Sequence, residues 1–386
     1  MQLHILSSIT EVSQASWDAL FDSQYPFCRY AFLHALEQGG SVDTATSKHQ
    51  TGWQTMHLLL KQDDTLIAIM PAYLKQHSYG EYFFDWQFAK AYQQYQLPFY
   101  PKLINAIPFT PAQGPRIAIA TGAVRSDVLT ILQQAIRQLM LQLKLSQFQS
   151  LYVAPDDRAV FQTGDYLERY DVQFQWHNNH YLDFNAFLAA LSSRKRKQIR
   201  KERSVVEQQG VVIKTLSGTE LDADFWSSFY QFYCATYFKR SGHQGYISLD
   251  TFTLWGQHLA DSIVVFAAYA AQQLVAASLC FRSDDTLYGR YWGCSADYDR
   301  LHFECCYYSG IEYCIAQQLS FFDAGAQGEH KLQRGFKPVV RHAFYDIAPT
   351  MLSETVTRYC NEERQSILQY VDQASDLLPF AKKADN

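Results

Sequence analysis

The sequence has 386 residues and a formal net charge of −5, and hydrophobic residues make up 48% and aromatic residues 15% of it. This length predicts two or three domains, and the composition excludes an intrinsically disordered chain. No stretch approaches the roughly 18 consecutive apolar residues of a membrane-spanning helix, so a helical membrane protein is not expected.

The start of the chain and its cysteines both bear on the cellular compartment. Residues 1–17 show neither a basic leader, a long apolar run nor a small-residue cleavage site, so no export signal is predicted. The eight cysteines lack metal-type spacing, and the adjacent Cys305 and Cys306 would point in different directions on one helix. These features predict reduced, buried thiols in a cytoplasmic protein.

The charges are unevenly distributed along the chain. Residues 194–203, RKRKQIRKER, carry a local charge of +6, which leaves −11 for the rest of the sequence. A protein that coats nucleic acid without selectivity would be basic throughout. A single basic block on an acidic body therefore indicates a localised electrostatic feature.

The first half predicts a mixture of helices and strands from its apolar periodicity and its turn residues. The predicted helices cover residues 16–21, 30–37 and 126–143. The predicted strands are residues 3–9, a hairpin of 57–60 and 66–74, a third strand at 79–86, and a further strand at 151–154.

The second half repeats this alternation of helices and strands. A long helix is predicted from Tyr181 to beyond Val206, ended by Gly210. The predicted strands cover residues 211–215, 263–269, 274–281, 286–293 and 321–322. The predicted helices cover residues 225–237, 249–259 and 301–319. After the last strand, the small-residue stretch 324–328 opens a loop rich in polar residues, a position where α/β enzymes place functional groups.

The two halves share a pattern of helix, hairpin and aromatic strand. HLLLKQDDTLIAIMPAYLK followed by YGEYFFDW corresponds to VVFAAYAAQQLVAASLCFR followed by LYGRYWG. We therefore predict two copies of one α/β unit, in which residues 56–86 superpose on residues 264–293. The predicted domains are residues 1–165 and 166–386, the second with a basic helix at 184–209.

This order of elements resembles the acetyltransferase (GNAT) fold, and its duplication resembles the Fem family of aminoacyl transferases that extend peptidoglycan cross-bridges. The basic segment is similar to the family's Arg-x-x-Ile-Arg helix through Arg196, Ile199 and Arg200. GEHKLQRGF resembles the family's closing motif at Gly335 and Phe336. YGEYFFDW, PFTPAQGPR and AGAQGEHK extend the resemblance, over nearly the whole chain, to bacterial FemAB-like proteins.

The resemblance implies an α/β (α+β) fold with two tandem GNAT-like units, whose mixed sheets are flanked by helices. It also implies an acyl- or aminoacyl-transferase linked to cell-wall peptide or a related metabolite. The donor would be acyl-CoA or an aminoacyl-tRNA, and the acceptor a small-molecule or peptide amine. It implies tRNA as a partner but no metal cofactor.

Two positions depart from these families. Leu332 and Gln333 stand where the Fem motif has Phe-Lys, although Lys331 and Arg334 flank the place. The glycine-rich signature that cradles the coenzyme A pyrophosphate at a helix start is replaced by residues 293–297. The donor need not then be a coenzyme A thioester, and a protein that has kept the fold but lost the chemistry is an open alternative.

The basic segment offers the predicted phosphate-binding residues, Arg196, Lys197 and Arg200. Arginine binds phosphate through two parallel hydrogen bonds, and positions 196 and 200 share one face of a helix. The alternative is a solvated helix face. RNA binding through this helix alone would be a third class of function.

In the first half, Glu81 and Asp85 form a predicted substrate-binding pair. On a strand both would share a face with Phe83, where two carboxylates could orient an amine acceptor. The alternative is an edge strand facing water.

The predicted transfer site is near the end of the second half. Attack by an amine requires a group that accepts its proton, for which the candidates are Glu304, Glu329 and His330. Helix geometry and loop placement argue against a metal site formed by these side chains together with His302. The predicted substrate-binding residues share a position on or beside the strands that lead to this loop. They are Arg290, Trp292, Gln327, Lys331, Gln333 and Arg334.

Overall fold

A computed structural model describes residues 1–21, 24–47, 49–326, 328–348 and 350–381. The chain forms two compact α/β units. The first comprises Met1–Asp171 and Val340–Gln369, and the second comprises Val172–Val339 and the chain from Tyr370 onward. The domain boundary predicted between residues 165 and 166 stays a prediction. In the structure, residues 340–369 belong to the first unit.

The first unit contains two sheets. Its strands are β1 (Gln2–Leu6), β2 (Trp53–Thr55), β3 (His57–Gln62), β4 (Thr65–Met70), β5 (Tyr73–Lys75), β6 (Lys102–Asn105), β7 (Ala118–Ile119) and β8 (Gln147–Ser150). Strands β1, β3, β4 and β7 form one antiparallel sheet in the order β1-β3-β4-β7. In the other sheet β2, β5 and β6 are antiparallel neighbours, and β6 pairs with β8 in parallel.

Helices cover the sheets of the first unit. They are α1 (Gln14–Asp18), α2 (Tyr30–Gln38), α3 (Trp86–Gln94), α4 (Arg125–Gln142) and α5 (Pro155–Gln162). The apolar stripe of α4, which includes Val128, Leu132 and Ile136, packs with Leu58 and Phe148 in one core. A helix that repeats apolar residues every three or four positions buries one face in this way.

The second unit is built on an antiparallel meander. Strand β9 (Leu167–His177) leads into this unit, followed by α6 (Phe184–Ala190), α7 (Ser193–Gln208), β10 (Val211–Ser217), α8 (Ala223–Ser241), α9 (Leu249–His258), β11 (Ile263–Ala270), β12 (Gln273–Arg282) and β13 (Thr286–Cys294). Next come α10 (Leu301–Phe303), a π-helical segment (Glu304–Tyr308), α11 (Ser309–Ala316) and β14 (Phe321–Asp323). The strand order is β10-β11-β12-β13-β14-β9, and only β13 and β14 are parallel neighbours.

Strand β15 and helix α12 complete the chain. β15 (Lys337–Ile347) enters the first unit and pairs with β8 through Phe344–Ile347, while α12 (Ser353–Ser375) passes from the first unit into the second. The predicted α/β class, with mixed sheets flanked by helices, is confirmed. In the described ranges we find no helix whose length and hydropathy would let it span a bilayer.

The predicted repeat holds for the hairpins but not for the third strand. The turns of the β3–β4 and β11–β12 hairpins are Asp63-Asp64 and Ala271-Gln272, and all four residues have positive φ, as a two-residue hairpin turn requires. In the second unit β13 is the third strand. In the first unit residues 79–85 form an irregular loop, and the predicted strand at 79–86 is wrong.

Two other predicted elements need correction. The predicted long helix from Tyr181 is two helices, because the backbone around Leu191 and Ser192 bonds to the C-terminal segment at Pro379 and Phe380. The strand predicted at 151–154 lies instead at Gln147–Ser150, which is β8. The prediction missed it because Gln147, Gln149 and Ser150 are polar although they are buried. The other predicted strands and helices of the second unit lie within a few residues of the observed bounds, whereas β9 was not predicted.

Candidate functional site

The candidate site lies where two strands of the second unit diverge. β13 and β14 are paired in parallel up to Tyr288 opposite Asp323, where β14 ends. β13 continues to Cys294, held on its other edge by β12. Arg290 and Trp292 lie on the part of β13 that extends past the end of β14.

The helix that follows β13 contains a π-helical segment, Glu304–Tyr308. A π turn inserts one residue into a helix and is frequent at functional sites. Here the Tyr307 hydroxyl hydrogen-bonds the ring of His330, and the Tyr308 hydroxyl donates to the carboxylate of Glu202 on α7. The distortion therefore connects this helix to two different elements.

Lys331 and Arg290 bring two buried cations to the divergence of the strands. The Nζ of Lys331, a residue only 1% exposed, donates to the Gly325 carbonyl at 2.7 Å. An Nη of Arg290 lies 3.3 Å from the Asp323 carboxylate. Burial lowers the pKa of Lys331 to about 8, Asp323 opposes that shift and Arg290 adds to it. Lys331 and Arg290 carry two positive charges and Asp323 carries one negative charge, so the net charge where the strands diverge is positive.

Two histidines lie beside these cations. The Nε2 of His330 is 2.7 Å from the Tyr307 hydroxyl, and the ring of His302 packs edge-on against the Tyr307 ring at 5.4 Å. Burial lowers the pKa of both histidines, and the charges of Arg334 and Arg240 lower both further. For His302 the result is a pKa of about 3. Both imidazoles are therefore neutral at pH 7, inside a positive environment.

Arg334 holds the turn that carries His330. Its Nε donates to the Tyr308 hydroxyl at 2.9 Å, one Nη donates to the His330 carbonyl at 2.9 Å, and the other donates to Glu202 at 2.8 Å. Its guanidinium also lies 3.6 Å from the centre of the Phe303 ring. Burial raises the pKa of Glu202, but the hydrogen bonds from Tyr308 and Arg334 outweigh that effect and hold the pKa below its usual range.

The basic helix α7 begins beside this turn. Burial lowers the pKa of Lys195, and the nearby charge of Arg334 contributes to that shift. Of the predicted phosphate-binding residues, Arg196 is half-buried, while Lys197 and Arg200 are exposed. None of the three has an ion-pair partner among the described residues. They are therefore available to an anionic ligand.

Glu304 lies in a groove between α7, β10 and α11. Its carboxylate accepts from the Nε of Arg203 at 3.0 Å, and the same guanidinium donates to Glu312 at 2.9 Å. Burial raises the pKa of Glu304, and Arg203 opposes that shift. These three side chains help to line a cavity of about 630 Å³.

The three predicted proton-transfer residues do not meet. The described contacts place Glu304 with Arg203, whereas Glu329 accepts a hydrogen bond from Tyr370 at 2.8 Å, and His330 lies against Tyr307. Of the three, only His330 lies beside the cations at the strand divergence.

Glu81 and Asp85 lie in the first unit, buried around a lysine. The Nζ of Lys102 is 2.8 Å from Glu81 and also donates to Asp85, and all three residues are at most 3% exposed. Phe83 is buried with them, so the predicted shared face is present, although it belongs to a loop and not to a strand. Burial raises the pKa of Glu81 to about 7 against the opposing charge of Lys102.

The remaining predicted residues have mixed placements. Lys331 and Arg334 lie near His330, Arg290 lies near Lys331, and Trp292 packs against His302 at 5.5 Å. Gln333 is half-buried on the same turn, and Gln327 lies outside the described residues.

Sequence analysis missed three residues of the site, Glu202, Tyr307 and Tyr308, and considered His302 only as a metal ligand. Of the three, Glu202 carried a signal, as the single acidic residue of the basic run. The described residues include no group of three or more His, Cys, Asp or Glu side chains placed to hold a metal ion.

Comparison with known proteins places these features in a family. The FemAB-like family model, described as peptidoglycan biosynthesis and recognition, matches residues 8–382. The crystal structure of FemX is 10% identical, covers 92% of this chain and 100% of its own, and superposes with a TM-score of 0.51. The C-terminal domain of an Agrobacterium fabrum protein named as a lysylphosphatidylglycerol synthetase is 9% identical, covers 91% and 94%, and also has a TM-score of 0.51.

At this identity the two structures show the fold alone, which they share with nearly the whole of this chain. No curated protein matches the sequence. The family model spans nearly the whole chain, and the chain belongs to the FemAB-like family.

Proposed function

We propose that the second unit transfers an aminoacyl or acyl group from an activated, phosphate-bearing donor to an amine. The observation that carries this proposal is the grouping of Lys331 and Arg334 around the neutral His330, with Arg290 and Asp323 beside Lys331 where β13 extends past β14. Positive groups suit an anionic donor and the oxyanion of acyl transfer. A neutral imidazole suits removal of the amine proton.

His330 is the proposed proton acceptor. If Nε2 donates its hydrogen to the Tyr307 oxygen, Nδ1 keeps the lone pair that a base needs. The amine nitrogen attacks the carbonyl carbon of the donor, its proton passes to Nδ1, and the bond from that carbon to the leaving oxygen or sulfur breaks. His330 then gives this proton to the leaving oxygen or sulfur, which restores the neutral imidazole. Tyr307 and Arg334 act as positioning residues for this histidine.

The basic helix is the proposed contact for the donor's phosphates. Arg196, Lys197 and Arg200 lie on α7, whose first turn is close to Arg334. Both aminoacyl-tRNA and acyl-CoA carry phosphates that a basic helix can bind. The name of the Agrobacterium fabrum relative specifies the joining of a lysyl group to an acceptor, which favours the aminoacyl donor.

A transfer assay tests the proposal. The purified chain is incubated with radiolabelled aminoacyl-tRNAs or acyl-CoAs and with amine acceptors, including the stem peptide of peptidoglycan. We expect a new amide product from at least one pairing, and we expect His330→Gln to slow its formation at least about a hundredfold. The control, His258→Gln, changes an exposed histidine of α9 and should leave the rate unchanged.

Two outcomes would count against the proposal. Binding of a donor without turnover, whichever acceptor is supplied, would identify a binding module that has kept the fold. Binding of uncharged tRNA as tight as that of charged tRNA, again without turnover, would identify an RNA-binding protein. Normal turnover by the His330→Gln variant would leave transfer intact but remove the histidine from it.

A further inference from the structure

Three large aromatic side chains are exposed together on the first unit. Tyr79 is 58% exposed, Trp86 is 51% exposed and Phe84 is 47% exposed. The Phe84 and Trp86 rings are near-parallel with centroids 6.3 Å apart, and the Tyr79 ring lies 6.4 Å from that of Trp86. We call these three residues the aromatic platform. Clustered exposed apolar side chains, unlike scattered ones, usually mark a binding surface.

A buried charged network holds the loop that carries the platform. Lys102 binds both Glu81 and Asp85 beneath it. The Tyr79 carbonyl accepts from Lys75 at 3.1 Å and from the Trp53 ring nitrogen at 3.0 Å. Burying charged groups costs free energy unless each is paired. A surface turn does not need such a buried network, so its presence indicates that the conformation of this loop is important.

The other end of the loop is anchored as well. The Phe84 carbonyl accepts from Arg169 at 3.1 Å, and Arg169 is itself paired with Glu363. Side chains of the loop alternate, with Glu81, Phe83 and Asp85 inward. The platform is therefore displayed by a backbone fixed from below at several points, as a preorganised binding surface is.

The segment that carries the platform exposes few charges, which indicates an uncharged ligand. Within residues 76–96, the only exposed charged side chain is Lys90. The other exposed polar side chains of this segment, apart from Tyr95, are all glutamines, at positions 76, 87, 93, 94 and 96. On α3, Lys90 and Gln93 follow Trp86 at helical spacing and share its face. A nucleic acid would call for more cations than this segment presents.

These features match the two kinds of surface on a sugar ring. The C–H bonds on one face of a pyranose are apolar and weakly positive, and they stack on the negative face of an aromatic ring. The equatorial hydroxyl and N-acetyl groups need donors and acceptors at the rim, and a glutamine amide supplies both. The near-parallel Phe84 and Trp86 rings, with the Gln93 amide on the Trp86 face of α3, thus provide contacts for both surfaces.

We propose that the aromatic platform binds the uncharged pyranose rings of an oligosaccharide. This site belongs to the first unit and shares no residue with the proposed transfer site. It is also independent of any acyl donor. A binding measurement without a donor therefore tests it separately from the proposed function.

Isothermal titration calorimetry with neutral trisaccharides tests the proposal. The panel contains N-acetylglucosamine, glucose, galactose and mannose trimers. We expect the whole chain to bind at least one trimer, and we expect Trp86→Ala and Tyr79→Ala each to weaken that binding at least tenfold. Trp86→Phe, which keeps an aromatic face, should retain part of it.

The control variant is Phe238→Ala, which removes an aromatic side chain that is 66% exposed on the second unit. It should leave saccharide binding unchanged. Thermal melting of each variant checks that the fold is retained. Two results would overturn the proposal: failure of every trimer to bind the parent at millimolar concentration, or Trp86→Ala weakening the binding of tRNA or phosphatidylcholine vesicles but of no saccharide.

Discussion

Arg334 and Glu202 form a buried ion pair in the second unit, with 2.8 Å between the Nη2 and Oε2 atoms. The pair joins the turn that carries His330 to the basic helix α7. Tyr308 donates to the same carboxylate, so three separate chain segments meet at Glu202. The position of His330 thus depends on a carboxylate supplied by the helix proposed to contact the donor.

Replacing Arg334 by methionine should destabilise the protein strongly. The change removes the guanidinium but leaves the Glu202 carboxylate buried, and breaking a buried pair in this way typically costs about 3–5 kcal/mol. Urea denaturation measures the loss in the free energy of unfolding. The matched control is Arg200→Met, an exposed position on α7, for which we expect a change within about 0.5 kcal/mol. Equal losses in both variants would contradict the buried pair.

The pKa of His330 should respond to charges around the site. Because burial and neighbouring cations lower this pKa, an NMR titration of the imidazole should give a midpoint below 6.5. Arg240→Gln removes one of those cations and should raise the midpoint. Lys144→Gln, an exposed change in the first unit, should not move it. A midpoint above 6.5 in the parent chain would show that the cations do not act on His330.

If His330 accepts the amine proton, the transfer rate should follow the same titration. Protonation removes the lone pair, so kcat/KM should fall tenfold per pH unit below the His330 pKa and level off above it. The profile for Arg240→Gln should shift toward higher pH by the amount that NMR reports. A profile that does not move with the NMR midpoint would assign the rate to another group.

The basic helix should give salt-dependent binding of phosphate-bearing ligands. Arg196→Gln combined with Arg200→Gln removes two charges that have no described ion-pair partner. We expect weaker binding of tRNA or coenzyme A and a shallower dependence on salt concentration. Lys144→Gln with Arg358→Gln removes the same charge from exposed positions of the first unit and is the matched control. If both double variants bind these ligands equally well at low salt, this face of α7 contacts water and not the ligand.

The sequence predicted most of the second unit because its elements follow local rules. Strands β11 and β12 are mainly apolar, β13 alternates aromatic residues with glycine or arginine, and α8 and α9 begin at the capping residues Asp222 and Ser248. The break at Leu191 was not predictable, because its cause is a contact with Phe380, far along the chain. The loop at 79–85 alternates inward and outward side chains as a strand does, so periodicity alone could not distinguish the two.

The sequence predicted several residues of the candidate site but not how they are arranged in space. The turn around His330, Lys331 and Arg334 stood out as polar residues after a buried strand. The roles of Tyr307 and Tyr308 depend on the π-helical segment, which shifts both side chains relative to an ordinary helix. Long-range partners such as Glu202 become visible only when the helices are packed together.

The stability of the protein should depend on the ionisation of Lys75 in the first unit. Burial lowers the pKa of this lysine from 10.5 to about 6, so between those values the unfolded chain binds a proton that the folded chain does not. Stability from this group is therefore fully present above pH 10.5 and is lost as pH falls toward 6. Glu81 has a folded pKa of about 7 and adds little above that pH.

Comparing the parent with Lys75→Met isolates this effect. The free energy of unfolding of the parent should rise relative to that of the variant between pH 7.5 and 9.5, by at most about 1.4 kcal/mol per pH unit. Urea denaturation at several pH values measures the difference. Lys144→Met, which changes an exposed lysine of the same unit, should track the parent. A constant difference between the parent and Lys75→Met across this range would mean that Lys75 stays protonated in the folded protein, held by Glu81 at 4.0 Å.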